Sequence, residues 1–306
     1  MSVMPQTDCP TAPTGVPGGI ATLPGVILAA VALALVAAAM HGTWNVLVKT
    51  SADPLITFYR STLAGAAIMT VPAVIATVVF RPKVDAAVLG FLLVSAALEV
   101  AYMWLLSSAY MRGELSVVYP IARGSAPLLA VVIGLGILGE RLSGAQLVGV
   151  GLLLAGILAV TLPQTSGKAT LPALLTGVAI ASYTAVDRVG VRLTEPWFYG
   201  WILIVLMATG MAVSIRVGAR FRTGPAGAQV VSWRRGAAIG VISWGAYLLV
   251  LLALDLAPLA VVAPVRETAI VAVAIWGVWR LRERQAAGLK IAGAAATLVG
   301  VTLLAI

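Results

Sequence analysis

The sequence predicts an all-α integral membrane protein of ten transmembrane helices, arranged as two inverted five-helix repeats. Three observations carry this expectation: the composition, a succession of ten apolar segments, and an internal repeat. The chain has 306 residues, of which 61% are apolar and 10% charged, whereas an ordinary soluble domain carries about 25% charged residues. Ten segments approach or exceed the ~20 residues that a helix needs to cross the hydrocarbon core. They are 25–48, 55–80, 86–109, 115–138, 143–162, 170–191, 197–217, 236–255, 258–280 and 286–306.

Each break between them has a local cause. Asp53-Pro54, Arg81-Pro82-Lys83 and Glu195-Pro196 combine charge with a residue that cannot continue a helix. Arg112-Gly113-Glu114, Glu140-Arg141 and the run from Arg280 to Arg284 place charges where lipid would otherwise begin. The longest connection, 218–235, leaves no room for an inserted soluble domain.

The repeat settles the expected architecture. At an offset of 144, Leu115, Val117, Val118 and Pro120 correspond to Leu259, Val261, Val262 and Pro264, and Gly149 and Gly156 to Gly293 and Gly300. Glu140-Arg141 corresponds to Glu283-Arg284 at 143, a one-residue slip within a loop. An odd number of spans per half forces the second half to enter the membrane inverted, the arrangement used by secondary transporters. The expected units are a disordered tail over 1–24, a first repeat over 25–162 and a second over 163–306.

Charge and cysteine usage exclude several function classes. The net charge of +9 comes from basic residues in short loops, where they face lipid headgroups rather than nucleic acid. The tail is rich in Pro, Gly and Thr and has no Lys or Arg, so it lacks the basic start of a secretory signal, and the first apolar segment reads as a retained helix. One cysteine, Cys9, and one histidine make neither a disulfide nor a multi-residue metal site. Ser166-Gly167-Lys168-Ala169 ends like a phosphate-binding loop, but Leu162 stands where its first glycine is needed and Ala169 replaces the Ser/Thr. No cofactor, no metal and no enzymatic chemistry are expected.

The candidate site lies on the two repeated proline segments. Each proline frees the carbonyl four residues before it, which in a membrane is tolerated only beside protein or a water-filled cavity. Broken helices in corresponding places are therefore expected at a site between the halves. Arg123 and Glu267 each follow a proline by three residues and are expected to pair across the pseudo-twofold axis. Arg266 is expected to point away from Glu267, toward Glu99 or a lipid phosphate, because helix neighbours diverge by about 100°. Glu99, in the middle of the third segment, is the coupling candidate, since a protonatable carboxylate at that depth is what proton coupling requires. Trp44, Asn45, Tyr102, Tyr119, Tyr183, Trp244 and Tyr247 complete the candidate cavity with Arg123, Arg266 and Glu267. Asp187-Arg188 is read as an interfacial pair ending the sixth helix. Gly149/Gly156, Gly293/Gly300 and Gly236/Gly240 are read as close-packing positions of helices 5, 10 and 8.

The chain resembles the drug/metabolite transporter superfamily, EamA-type, over residues 25–306. Leu138-Gly139-Glu140-Arg141 with Gly149 and Gly156, the weaker copy at Glu283-Arg284, and His41-Gly42-Thr43-Trp44-Asn45-Val46-Leu47-Val48-Lys49 carry the resemblance. Leu281-Arg282 stands where the pattern has Leu-Gly. The resemblance implies a multi-pass protein of the cytoplasmic membrane with both termini in the cytoplasm. Loop charges argue the reverse, with twelve Lys and Arg on the side opposite the termini and five on the other. The expected activity is secondary export of small organic metabolites by alternating access, with amino-acid-like, anionic or zwitterionic cargo. The alternatives are a multidrug exporter of lipophilic cations and a flippase for an anionic lipid carrier. The expected partners are a small-molecule substrate and the bilayer, with the chain as a monomer or weak homodimer.

Overall fold

The computed structural model describes residues 24–49, 51–112, 115–161, 169–218, 231–269 and 287–305. The tail, Cys9, the break from Pro163 to Lys168, most of the 218–235 connection and the break from Arg280 to Arg284 lie outside them. Among the described residues the chain is helical and forms no strand. The helices are α1 (Pro24–Lys49), α2 (Pro54–Phe80), α3 (Ala86–Arg112), α4 (Leu115–Gly136), α5 (Gly144–Thr161), α6 (Thr170–Gly190), α7 (Pro196–Gly218), α8 (Trp233–Leu256), α9 (Leu259–Arg266) and α10 (Ala287–Ala305). A short 3₁₀ turn, Val191–Leu193, follows α6.

The helix starts are written in the sequence. Asp53 caps α2 by accepting from the Ile56 N–H at 3.1 Å, with Pro54 in the first position. Asp85 accepts from the Val88 N–H at 2.9 Å ahead of α3. Ser143 and Gln146 satisfy each other's backbone N–H groups at 3.2 and 3.0 Å, a reciprocal capping box opening α5. The α2 terminus is marked by Arg81, whose φ of 48° is left-handed and lets its N–H reach back to the Thr77 carbonyl.

Polarity is distributed for lipid rather than water. Val71, Val78, Val79 and Phe80 of α2, Leu93 of α3, Leu171 of α6 and Leu298 of α10 are exposed. Meanwhile Glu99, Arg123, Asp187, Arg266 and Glu267 are buried. An aqueous protein rarely leaves so much contiguous apolar surface uncovered. Among the described residues six helices (α1, α2, α3, α6 with its 3₁₀ turn, α7 and α8) are long and apolar enough to cross a membrane. At 18 residues, α5 is about 27 Å long, close to the core thickness.

The helices pack as a lattice of pairs: α3 against α6 and α7, α1 against α8, α2 against α7 and α8, α4 against α6 and α9, and α5 against α10. Glycines set the closest approaches. A Cβ on Gly156 would meet Thr297 Oγ1 at 2.3 Å and the Gly293 carbonyl at 2.4 Å. Gly149 stands against the Gly300 backbone, and Gly240 against Ser61 and Gly65 of α2. These are the contacts expected from the glycine spacing. Tyr110 to Asn45 (2.9 Å), Trp104 to Ser214 (3.0 Å) and Trp201 to Thr70 (3.2 Å) tie neighbouring helices by hydrogen bonds.

One of the two expected helix breaks is revised. The backbone of α4 stays helical from Leu115 to Gly136, through both prolines. A proline removes one bond of the ladder without having to end a helix that its neighbours hold. The described part of α9, in contrast, does end at Arg266, two residues after Pro264. The chain there tightens into i→i+3 bonds, Glu267 N–H to the Pro264 carbonyl at 3.1 Å and Thr268 N–H to the Val265 carbonyl at 3.2 Å.

Candidate functional site

Arg123 of α4 and Glu267 at the end of α9 meet near the middle of the bundle. Arg123 Nη1 donates to Glu267 Oε1 at 3.1 Å and stands 3.4 Å from Oε2. Both side chains are about 2% exposed, so the pair is dry rather than a surface ion pair.

Glu267 holds a second arginine. Arg266 Nε donates to Glu267 Oε1 at 2.9 Å, and its Nη1 donates to Thr184 Oγ1 of α6 at 3.2 Å. This overturns the expectation that Arg266 points away from Glu267. Divergence of helix neighbours holds inside a helix, but α9 stops between these two residues, and a long guanidinium can fold back across the turn. One carboxylate thus serves two guanidinium groups in a buried cluster.

A cavity opens beside this cluster, with about 530 Å³ of atom-free space including its mouth. Trp44, Glu99, Tyr102, Arg123, Tyr183, Trp244 and Tyr247 from the expected set line it. Tyr102 and Tyr183 meet edge to face at 5.6 Å, and Tyr183 and Tyr247 at 6.1 Å, forming a continuous aromatic wall. Glu99 is 4% exposed, and its Oε1 has no hydrogen-bond partner.

The rest of the expected set falls elsewhere. Asn45 is used within the scaffold: its amide donates to the His41 carbonyl at 2.8 Å, and its Oδ1 accepts from Tyr110. Glu267 holds Arg123 and Arg266 holds Glu267, and neither Arg266 nor Glu267 lines the cavity. The Tyr119 side chain lies outside the described residues. His41 joins the lining, with Nδ1 accepting from Trp44 Nε1 at 2.9 Å. An indole N–H can only donate, so the neutral ring carries its proton on Nε2. Gly200, Leu203, Ile204 and Met207 of α7 complete one wall. No sequence signal marks these four, because apolar residues facing a cavity and apolar residues facing lipid look alike.

Asp187 and Arg188 are not an interfacial pair. They diverge into different networks. Asp187 is fully buried and accepts from Ser95 Oγ at 2.5 Å, Tyr199 OH at 2.9 Å and Tyr247 OH. Arg188 donates from Nε to Glu140 Oε1 at 3.1 Å and from Nη1 to the Leu254 carbonyl. Glu140 also accepts the N–H groups of Leu259 at 2.7 Å and Ala260 at 2.9 Å, the first of α9. The negative charge complements that helix end.

Exposed apolar helix faces around buried charges and an aromatic cavity define a multi-pass membrane protein built to present polar groups away from lipid. Residues 28–162 match the model of the EamA-like transporter family, so the EamA-type resemblance holds across the first half of the chain. Members of that family are membrane transporters of small molecules, and it is the first half of this chain that resembles them. A solved structure described only as "Crystal structure of protein" superposes with a TM-score of 0.65, at 16% identity, over 90% of this chain and 95% of its own. That likeness is one of fold. No curated protein matches the chain.

Proposed function

We propose that the protein is a secondary active transporter of the cytoplasmic membrane. In this reading it exports small organic metabolites by alternating access between two inverted five-helix repeats. The observation that carries it is the Arg123–Glu267–Arg266 cluster beside the aromatic cavity. The Arg123 guanidinium lining the cavity suits a carboxylate or phosphate, and the Tyr102–Tyr183–Tyr247 wall suits an apolar body. Amino-acid-like and other anionic or zwitterionic solutes combine the two.

The helix pairing supports the repeat. Exchanging each of α1–α5 with its counterpart in α6–α10 turns the α1–α8 contact into α3–α6, α2–α8 into α3–α7, and α4–α6 into α1–α9. The α2–α7, α4–α9 and α5–α10 pairs map onto themselves. A second reading, export of lipophilic cations, is favoured by the unpartnered oxygen of Glu99 facing the aromatic wall.

The test is solute movement in proteoliposomes containing the full chain, with and without a pH gradient. Radiolabelled phenylalanine, benzoate and tetraphenylphosphonium serve as zwitterionic, anionic and cationic probes. The proposal expects gradient-dependent movement of the zwitterion or anion, lost in Arg123→Gln at unchanged folded yield. Movement of tetraphenylphosphonium alone would favour the second reading, and movement of none of them would overturn transport of these classes.

A further inference from the structure

Asp187 and Glu99 are two buried carboxylates that the structure treats in opposite ways. Asp187 receives hydroxyl donors on both oxygens: Ser95 of α3 and Tyr199 of α7 on Oδ1, and Tyr247 of α8 on Oδ2. Three hydroxyls aimed at one carboxylate satisfy its ionised form. Glu99 sits one helical turn from Ser95 on the same face of α3, yet its Oε1 receives nothing. A buried oxygen in that position is tolerable as part of a neutral acid and costly as part of an anion. Tyr247 stands between the two: its hydroxyl bonds Asp187 and faces Glu99, and its ring lines the cavity.

We propose that Glu99, Tyr247 and Asp187 form one proton-handling unit, in which Glu99 carries an exchangeable proton open to the cavity and Asp187 carries the matching negative charge behind it. The ligand class at Glu99 is a proton or, in its place, an ammonium group. When an ammonium enters beside Glu99, the Glu99 O–H bond breaks and its proton bonds to the Tyr247 oxygen. The Tyr247 O–H bond breaks in turn, and its proton bonds to Asp187 Oδ2. Two O–H bonds break and two form. The negative charge moves from Asp187 to Glu99, beneath the arriving cation, and the net charge of the protein is unchanged. The aromatic wall supports this assignment, since Tyr102, Tyr183 and Tyr247 present ring faces and edges that tolerate a cation.

The surroundings are those such a unit requires. The titratable and charged groups facing Glu99 are Tyr102 of α3, Asp187 and Tyr183 of α6, Tyr199 of α7, Tyr247 of α8 and Arg266 of α9. Arg266 is engaged by Glu267, and Arg123 on α4 is engaged by the same carboxylate, so neither ends in a direct ion pair with Glu99. Among the described residues α2 brings Thr62, an uncharged group, to the cavity. The idea rests on the transport reading only in naming the cavity as the solute path; the proton unit itself can be measured without any transported solute.

Infrared difference spectroscopy of the purified full chain tests it through the carboxylic-acid C=O stretch, which vanishes on ionisation. The wild type is expected to show a buried acid band that bleaches on alkaline titration and is absent in Glu99→Gln. Asp187→Asn removes the neighbouring negative charge and is expected to move the bleaching midpoint toward acid by tenfold or more in proton concentration. Tyr247→Phe, which leaves Asp187 its Ser95 and Tyr199 donors, is expected to move the midpoint as well and guards against misfolding of the aspartate variant. Adding 2-phenylethylammonium at fixed pH is expected to shift the band from its Glu99 to its Asp187 position in the wild type. A band that survives in Glu99→Gln, or a midpoint unmoved in both other variants, overturns the unit. A band indifferent to the amine overturns the displacement. None of these readouts depends on whether the proteoliposomes transport anything.

Discussion

Arg123 Nη1 lies 3.1 Å from Glu267 Oε1 although 144 residues separate them, the same offset that relates the two halves of the sequence. The pair thus joins positions that the sequence offset matches, Arg123 within α4 and Glu267 at the end of α9. Because Glu267 also holds Arg266, the two partners are not equal. Glu267→Gln deprives two buried guanidiniums of their carboxylate and is expected to cost at least about 3–5 kcal/mol of stability. Arg123→Gln leaves Glu267 paired with Arg266 and is expected to cost less. The swap Arg123→Glu with Glu267→Arg places a second arginine directly beside Arg266 and is expected not to restore stability. Thermal unfolding of the three variants in detergent checks the order.

Glu140 ties the first half of the chain to the second through the start of α9. Glu140→Gln keeps a similar shape but sets an amide donor against one of the two N–H groups of Leu259 and Ala260 and removes the charge that both they and Arg188 bond. The expected result is faster amide hydrogen exchange at Leu259 and Ala260, with about 1–2 kcal/mol of local stability lost. Arg141→Gln, at the exposed neighbouring residue, is expected to leave both amides unchanged.

Gly156 and Gly151 lie on the same helix and should respond in opposite directions. Gly156→Ala drives a methyl into Thr297 and the Gly293 carbonyl and is expected to lose about 1–3 kcal/mol by overpacking. Gly151→Ala meets nothing within 4 Å and is expected to be neutral or to gain up to about 1 kcal/mol from helix propensity. Melting temperatures in one detergent separate the two.

The proposed ten spans place the loops after the first, third, fifth, seventh and ninth helices on one face. In a Cys9→Ser background, single cysteines at Ser51, Ser166, Thr223 and Gln285 are expected to label from the same side with a membrane-impermeant reagent. Labelling from different sides would overturn the inverted arrangement. The side that labels also decides between the family resemblance, which puts the termini in the cytoplasm, and the loop charges, which put them outside.

The sequence by itself determined the class of protein and the extent of nearly every described helix. Apolar length against interrupting charge and proline is a one-dimensional quantity, and nine of the ten expected segments agree with the observed helices to within about three residues. It also marked Arg123 and Glu267, because a charge three residues after a proline in an apolar run is conspicuous wherever it folds. The tertiary structure alone decided what each polar group touches. Asp187 and Arg188 are adjacent in sequence yet enter separate networks, since neighbours on a helix face different helices. Arg266 turns back to Glu267 because α9 stops between them, and the end of a helix inside an apolar run leaves little trace in composition. Glu99 and Asp187 are 88 positions apart and are brought to one hydroxyl only by the packing of α3, α6 and α8. Distance along the chain says nothing of that approach, because helix pairing in a membrane is set by small residues and shape over whole faces.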